Sequence, residues 1–198
     1  MRVFVAGASG VIGVRLVPLL VAAGHEVAGM TRTQGKLELL RELGAQPVLC
    51  DAYDADALRE AVVAFQAEAV VNELTDLPDR AAAVNAANAR IRREGMRNLL
   101  AAYAAARSSR FVAQSVAWQP QGDGGAAVVE LEELTLSAGG VVLRYGRLYG
   151  PGTYYEHELP EPPRVHVDEA ARRTVPAIEA PSGIIEVTDE FSDQRRSW

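Results

Sequence analysis

Val3-Phe4-Val5-Ala6-Gly7-Ala8-Ser9-Gly10-Val11-Ile12-Gly13 is the stretch from which the rest of the chain can be read. Its first four residues are a continuous apolar run, the mark of a strand buried on both faces. From Val11 onward apolar residues recur with helical spacing, at Ile12, Leu16, Leu19, Leu20 and Ala23, until Gly24 stops the helix. Three glycines between strand and helix have separate tasks. Gly7 permits a sharp turn, Gly10 lets the backbone approach a pyrophosphate, and Gly13 allows the helix to pack closely on the sheet. The N–H groups of Ser9, Gly10, Val11 and Ile12 then face the phosphates, backed by the positive helix terminus. The strand-turn-helix context favours a dinucleotide site. A glycine turn kept only for packing is the competing reading.

The same alternation continues outward. A strand is predicted over residues 25–30, a helix through Leu37, Leu40 and Leu43 up to Gly44, and a strand over 47–50. Asp54 can cap a helix whose apolar face holds Leu58, Ala61, Val62 and Phe65. Strands over 69–71 and 110–113 flank an Ala-rich helix over about residues 80–106. Beyond Trp118 the pattern loosens: a turn-rich loop at 119–125, a helix over 127–137 and a strand over 141–145. Residues 150–164 contain four prolines and read as irregular. A short helix near 168–178, a strand over 184–187 and a frayed polar tail over 191–198 complete the chain. Strands alternating with helices mean an α/β fold, a Rossmann-type doubly wound parallel sheet with helices on both faces. One domain is expected over 1–198, with a dinucleotide-binding half at 1–118 and a shortened half at 119–198.

Composition narrows the setting. A length of 198 residues suits one domain with a real core. The net charge of −6 argues against nucleic acid as a partner, because phosphate binding needs a basic face. The single cysteine, Cys50, precludes an internal disulfide and suits a reducing compartment. No charged-then-apolar leader precedes the first strand, and no apolar run reaches the roughly 18 residues of a membrane span. The expectation is a cytoplasmic monomer or homodimer acting on a small molecule, without a membrane partner.

The second strand ends Met30-Thr31-Arg32-Thr33. An acid here would accept the ribose hydroxyls of NAD, whereas an arginine can pair with the 2′-phosphate of NADP. Arg32 is therefore the expected phosphate partner, Lys36 a weaker second, and NADP the expected cofactor with NAD as the alternative. A solvated strand-end arginine is the bland reading of Arg32. His25, His157 and His166 are too scattered for a metal site. Cys50 reads as inert core. Glu130, Glu132 and Glu133 read as a solvated helix face, and Arg90, Arg92, Arg93 and Arg97 as another.

Further motifs carry a family likeness. They are Gly7-x-x-Gly10-x-x-Gly13, Cys50-Asp51, Val70-Val71-Asn72, Glu94-Gly95-Met96-Arg97-Asn98-Leu99-Leu100, Arg110-Phe111-Val112, the run from Arg144-Tyr145-Gly146-Arg147 through Leu148-Tyr149-Gly150-Pro151-Gly152, and Val165-His166-Val167-Asp168. With these the chain resembles the extended and atypical short-chain dehydrogenase/reductases of the NAD-dependent epimerase/dehydratase family. The resemblance implies that Asp51 accepts from the adenine amino group, with Ala52 beside the ring. It places Leu74 and Thr75 along the ribose near nicotinamide, and Gln114 and Ser115 at the same end. Asp51 also reads as a loop residue capping the next turn.

The likeness fails at the chemistry. Members that transfer hydride use a serine after strand five and a tyrosine four residues before a lysine, which lowers the tyrosine pKa. Here Ser115 is followed by Val116, the next helix carries Val128, Val129, Glu130 and Leu131, and Lys36 is the only lysine. The substrate domain is much reduced, to the Gly-rich loop and residues 153–164. Ser115 and Tyr149 remain as weak catalytic candidates, with Tyr145 and Arg147 nearby. Three functions follow: a nicotinamide-dependent oxidoreductase or epimerase with an unusual proton donor, a non-redox isomerase or lyase on the same scaffold, or a noncatalytic NADP(H)-binding sensor.

Overall fold

The chain builds β1 (Arg2–Ala6), α1 (Gly13–Ala22), β2 (Glu26–Thr31), α2 (Leu37–Glu42), β3 (Gln46–Leu49), α3 (Ala55–Phe65) and β4 (Ala69–Asn72) in succession. It continues with α4 (Ala81–Arg90), a π-helical turn (Ile91–Gly95), α5 (Met96–Ala105), β5 (Arg110–Val116), α6 (Gly122–Ser137) and β6 (Val141–Tyr145). The short β7 (Arg147–Tyr149) and β8 (Arg164–His166) precede α7 (Val167–Ala177) and β9 (Gly183–Val187). This computed structural model describes residues 1–76 and 81–189, so the tail expected over 191–198 lies outside the described residues.

Seven strands pair in parallel in the order β3-β2-β1-β4-β5-β6-β9, a Rossmann-like α/β fold. Strand alternation divides the core into two layers. Val3 and Val5 of β1 pack with Leu16, Val17 and Leu20 of α1 and with Ala170 and Ala171 of α7. Phe4 and Ala6 turn the other way, onto Leu58, Val62 and Phe65 of α3 and Met96 and Leu99 of α5. Fully burying such side chains contributes roughly 1.5–3 kcal/mol each. Asp54 caps α3, its Oδ1 accepting from Ala57 N–H at 3.1 Å. The strand order reverses between β1 and β4, and the crevice beyond their carboxyl ends is where open parallel sheets bind ligands.

One expectation needs correction and another needs extending. The helix expected from residue 127 begins at Gly122. Gly122, Gly124 and Gly125 are poor helix formers, but tertiary contacts override propensity. A Cβ on Gly125 would stand 2.2 Å from Pro120 O, so only glycine allows that turn to close, and Asp123 in the first turn pairs with Arg93 at 2.7 Å. The irregular segment over 150–164 is bounded by an unexpected parallel pair, β7 with β8, which forms a separate small sheet. Among the described residues no helix is long and apolar enough to cross a membrane.

Candidate functional site

The glycine turn is held by Ala8 N–H donating to Met30 O and Gly10 N–H to Gly7 O, at 3.0 and 2.9 Å. Gly7 adopts φ +87°, and a Cβ there would lie 2.5 Å from Glu73 O. Gly13 is as tightly packed, since its Cβ would lie 2.5 Å from the Ala8 carbonyl. Gly10 differs: its Cβ would meet only Gly7 O, at 3.1 Å. Glycine at 7 and 13 serves the fold, while at 10 it leaves space open toward the cleft. The N–H groups of Ser9, Val11 and Ile12 take no acceptor among the described residues. Free donors at a helix start, around a cradle that one side chain would fill, fit a pyrophosphate.

A cleft of about 220 Å³ runs from this turn, lined by Gly7, Ser9, Gly10, Arg32, Lys36, Asp51, Ala52, Leu74 and Thr75. Residues selected from separate parts of the sequence thus converge on one groove, at the carboxyl ends of β1, β2, β3 and β4. Ser9 and Thr31 hydroxyls lie 2.8 Å apart, and Lys36 Nζ donates to Ser9 O at 3.3 Å, tying the second strand end to the phosphate turn. Arg32 reaches the groove already engaged, with Nη2 2.9 Å from Asp76 Oδ1. That hydrogen bond raises its pKa. Asp51 lines the cleft, and its Oδ1 accepts from Tyr53 N–H at 3.0 Å, as a loop residue capping the next turn would.

The groove opens at Gly10 and Thr75 into a larger cavity of about 540 Å³. Val11, Gln114 and Ser115 line it, as do Arg92, Trp118, Tyr145, Arg147, Tyr154 and Tyr155. Ile12 and Gly13, by contrast, are buried under the turn. Gln114 Nε2 donates to Leu74 O at 2.8 Å, which fixes the strand end beside the expected nicotinamide position. Arg15 of α1 locks the far wall, donating to Val11 O, Pro151 O and Asp168 Oδ1 at 2.8, 2.6 and 2.6 Å.

Ser115 is not free to serve as an acid. Its Oγ donates to Glu132 Oε1 at 2.5 Å, and Arg144 holds the same carboxylate through two bonds of 2.9 and 2.6 Å. Glu132 was expected on a solvated face; it is buried instead. Burial opposes its ionisation, yet the Arg144 and Ser115 hydrogen bonds prevail and its pKa is lowered. Tyr149, the other candidate, is turned away: its hydroxyl donates to Asp189 at 3.0 Å and its ring meets His166 edge to face. It lines a separate shallow groove, so nothing places it against a nicotinamide.

Two residues that sequence reasoning passed over belong here. Glu73 lines the cleft while its carboxyl is buried; burial pushes its pKa up to about 8, against the hydrogen bond from Tyr145. Tyr145 donates to Oε1 at 3.0 Å, and Oε2 has no partner among the described residues. Arg92 was grouped with an exposed arginine face but enters the cavity. Its signal is the helical spacing, which at 3.6 residues per turn sets Arg92 apart from Arg90, Arg93 and Arg97.

Known proteins agree with this geometry. Residues 7–123 match a family described as NAD(P)H-binding. A 3-diazoavenalumate denitrifying reductase from a Streptomyces species is 37% identical, covering 100% of this chain and 79% of that protein. The alignment runs over 244 positions against 198 residues, so the relative carries internal segments that this chain lacks. Among solved structures, the UDP-glucose 4-epimerase of Thermus thermophilus in complex with NAD superposes at TM-score 0.78 and 21% identity, covering 95% of this chain and 78% of that one. The Bordetella bronchiseptica enzyme WbmG with NAD gives 0.75 and 18%, covering 95% and 72%. At those identities the structural likeness speaks for the fold. With a family match across more than half its length and a full-length relative, this chain belongs to the NAD(P)H-binding family, on a Rossmann-like scaffold.

Proposed function

We propose that this chain is an NADPH-dependent reductase of a small electron-poor acceptor, of the diazo class for which the Streptomyces relative is named. One observation carries the reading. At the reactive end of the cleft neither of the two candidate donors is set up to give a proton: Ser115 is tied to Glu132, and Tyr149 lies elsewhere, while the protonated Glu73 and its partner Tyr145 are held buried against each other. A positioned acid is worth about 10²–10⁴ in rate, so an acceptor that must be protonated as it is reduced would react slowly here. A diazonium needs no such help. When bound, the dinucleotide supplies hydride, and a diazonium cation plus hydride balances as the hydrocarbon plus N₂, with no proton taken up.

The chain's own residues hold and orient. Ser9, Val11 and Ile12 offer N–H groups to the pyrophosphate, Asp51 and Ala52 flank the adenine position, and Leu74, Thr75 and Gln114 border the nicotinamide end. Arg32 is assigned to the 2′-phosphate. The test follows NADPH absorbance and N₂ release with a diazotised aminocinnamic acid, beside ketones, quinones and sugar nucleotides. Turnover with one N₂ per NADPH, and little reduction of ketones, is expected. Vigorous ketone reduction overturns the reading, and so does tight NADPH binding without turnover of the diazonium, which returns the noncatalytic sensor.

A further inference from the structure

Arg92 stands apart from its neighbours. Arg90 is paired with Glu94, Arg93 with Asp123 and Glu130, and Arg97 with Glu130. Arg92 sits on the same helical rod, within the π turn Ile91–Gly95, and faces the 540 Å³ cavity. Such turns recur at functional sites. Among the described residues no carboxylate or carbonyl oxygen bonds its guanidinium, and burial pulls its pKa below the ordinary value. A half-buried cation with no partner among the described residues is costly to keep, and in a cavity it has the donors to receive an anion.

The cavity's remaining chemistry points the same way. No Asp or Glu is among its described lining residues, although the chain as a whole carries −6. Its other cation, Arg147, is already occupied: Nη1 donates to Glu161 O and Pro162 O, each at 3.2 Å, and the guanidinium lies 5.2 Å from the Trp118 ring. Trp118, Tyr154 and Tyr155 give the cavity an aromatic wall. The glycine turn, with the pyrophosphate donors, borders the cavity through Gly10 and Val11, where the cleft opens into it. We propose that Arg92 is the receptor for a carboxylate on the acceptor, which makes small aromatic acids the substrate class. A guanidinium fork can bind both carboxylate oxygens at once, and the aromatic wall takes the ring.

This rests on the reductase reading only for what becomes of the bound acid. Its test is an equilibrium one and does not depend on turnover. Cinnamate and cinnamamide, equal in shape and different in charge, are titrated calorimetrically into the NADPH-loaded protein. The unmutated protein should prefer cinnamate at least tenfold. Arg92→Met should abolish that preference while NADPH affinity stays within about twofold, and Arg92→Lys should restore part of it. Retained preference in Arg92→Met overturns the proposal, as does equal or absent binding of both probes to the unmutated protein. Loss of NADPH affinity in Arg92→Met also overturns it, making Arg92 a cofactor-phosphate ligand. Failure to reduce diazonium acids with the cinnamate preference intact would sink the reductase reading alone.

Discussion

The glycine turn and the β5–α6 junction lie at the carboxyl ends of the same sheet and face neighbouring parts of one groove, yet they are built differently. The turn offers backbone donors and keeps side chains out: Ser9, Val11 and Ile12 N–H groups are open, and Gly10 has no Cβ. At the junction, where relatives in chemistry would keep an acid and a base, the side chains satisfy one another. Glu132 takes hydrogen bonds from Ser115 and from Nε and Nη2 of Arg144, leaving none of the three free to exchange a proton with a bound molecule. Binding and chemistry are therefore separable in this fold. The cofactor half is intact, while the acid-base position has become a structural ion pair.

The hardest blow to that contrast is Gly10→Val. A branched side chain would fill the phosphate cradle while meeting only one protein atom within van der Waals range at its Cβ, so binding should fail and folding survive. NADPH affinity should fall by at least about 100-fold, roughly 2.7 kcal/mol, and the melting temperature should move by no more than about 3 °C. Titration calorimetry with a thermal melt reads both. Unchanged binding would reduce the turn to a packing device and erase the difference between the two regions.

Glu132→Ala strikes the other side. It leaves Arg144 and Ser115 without their acceptor in a half-buried place. Breaking a fully buried pair costs about 3–5 kcal/mol; Arg144 is 34% exposed, so roughly 2–3 kcal/mol is expected here. NADPH affinity should stay within about twofold. Urea denaturation measures the loss, and the double variant Glu132→Met/Arg144→Met should recover most of it. A stability unchanged by Glu132→Ala would mean that the pair is not structural.

Glu73 links the regions, since its backbone supports the turn and its carboxyl meets Tyr145 of β6. Its pKa, about 8 in the folded protein, lies above the ordinary carboxylate value of 4.5. A raised carboxyl stabilises the fold fully below pH 4.5, and that contribution drains away as pH rises toward 8. Between pH 6 and pH 7 the unmutated protein should lose about 1.4 kcal/mol more than Glu73→Gln does. Parallel stability curves for the two proteins would show that the buried carboxyl does not titrate in that window.

How much of this was legible in the sequence follows from the same contrast. Gly7, Gly10, Gly13 and the alternating apolar runs announced the sheet and the turn, because backbone sites depend on local spacing. Asp54 announced its own cap for the same reason. The Glu132 network was hidden, since its partners lie 17 residues before it and 12 after it and meet only through β5–β6 pairing. Arg92 was hidden because it was grouped with Arg90, Arg93 and Arg97 by charge alone; a period of 3.6 residues per turn already sets it on a different side of the helix from those three, and it lines the cavity. Gly122, Gly124 and Gly125 concealed the start of α6, because propensity cannot anticipate a close approach to Pro120.

The smallest expected effect concerns cofactor choice at the strand end. Arg32 is not a waiting cation: it is paired with Asp76, whose Oδ2 also accepts from the Tyr53 hydroxyl at 3.4 Å. A 2′-phosphate would add to that pair rather than find an isolated arginine, and the Asp76 carboxylate would oppose part of the gain. Arg32 is also 56% exposed, where water screens the contact. NADPH should therefore bind about tenfold more tightly than NADH, roughly 1.4 kcal/mol, near the lower end for a charge-assisted hydrogen bond. Arg32→Ala should remove that margin and leave NADH affinity nearly unchanged. Asp76→Asn should act oppositely, strengthening NADPH a few-fold by removing the opposing charge, and both effects should shrink as salt is raised. Calorimetric titration of both dinucleotides at low and high salt decides the matter. Equal affinities in the unmutated protein, or a margin that survives Arg32→Ala, would move cofactor selection away from this residue and leave the phosphate turn as the cleft's main anchor.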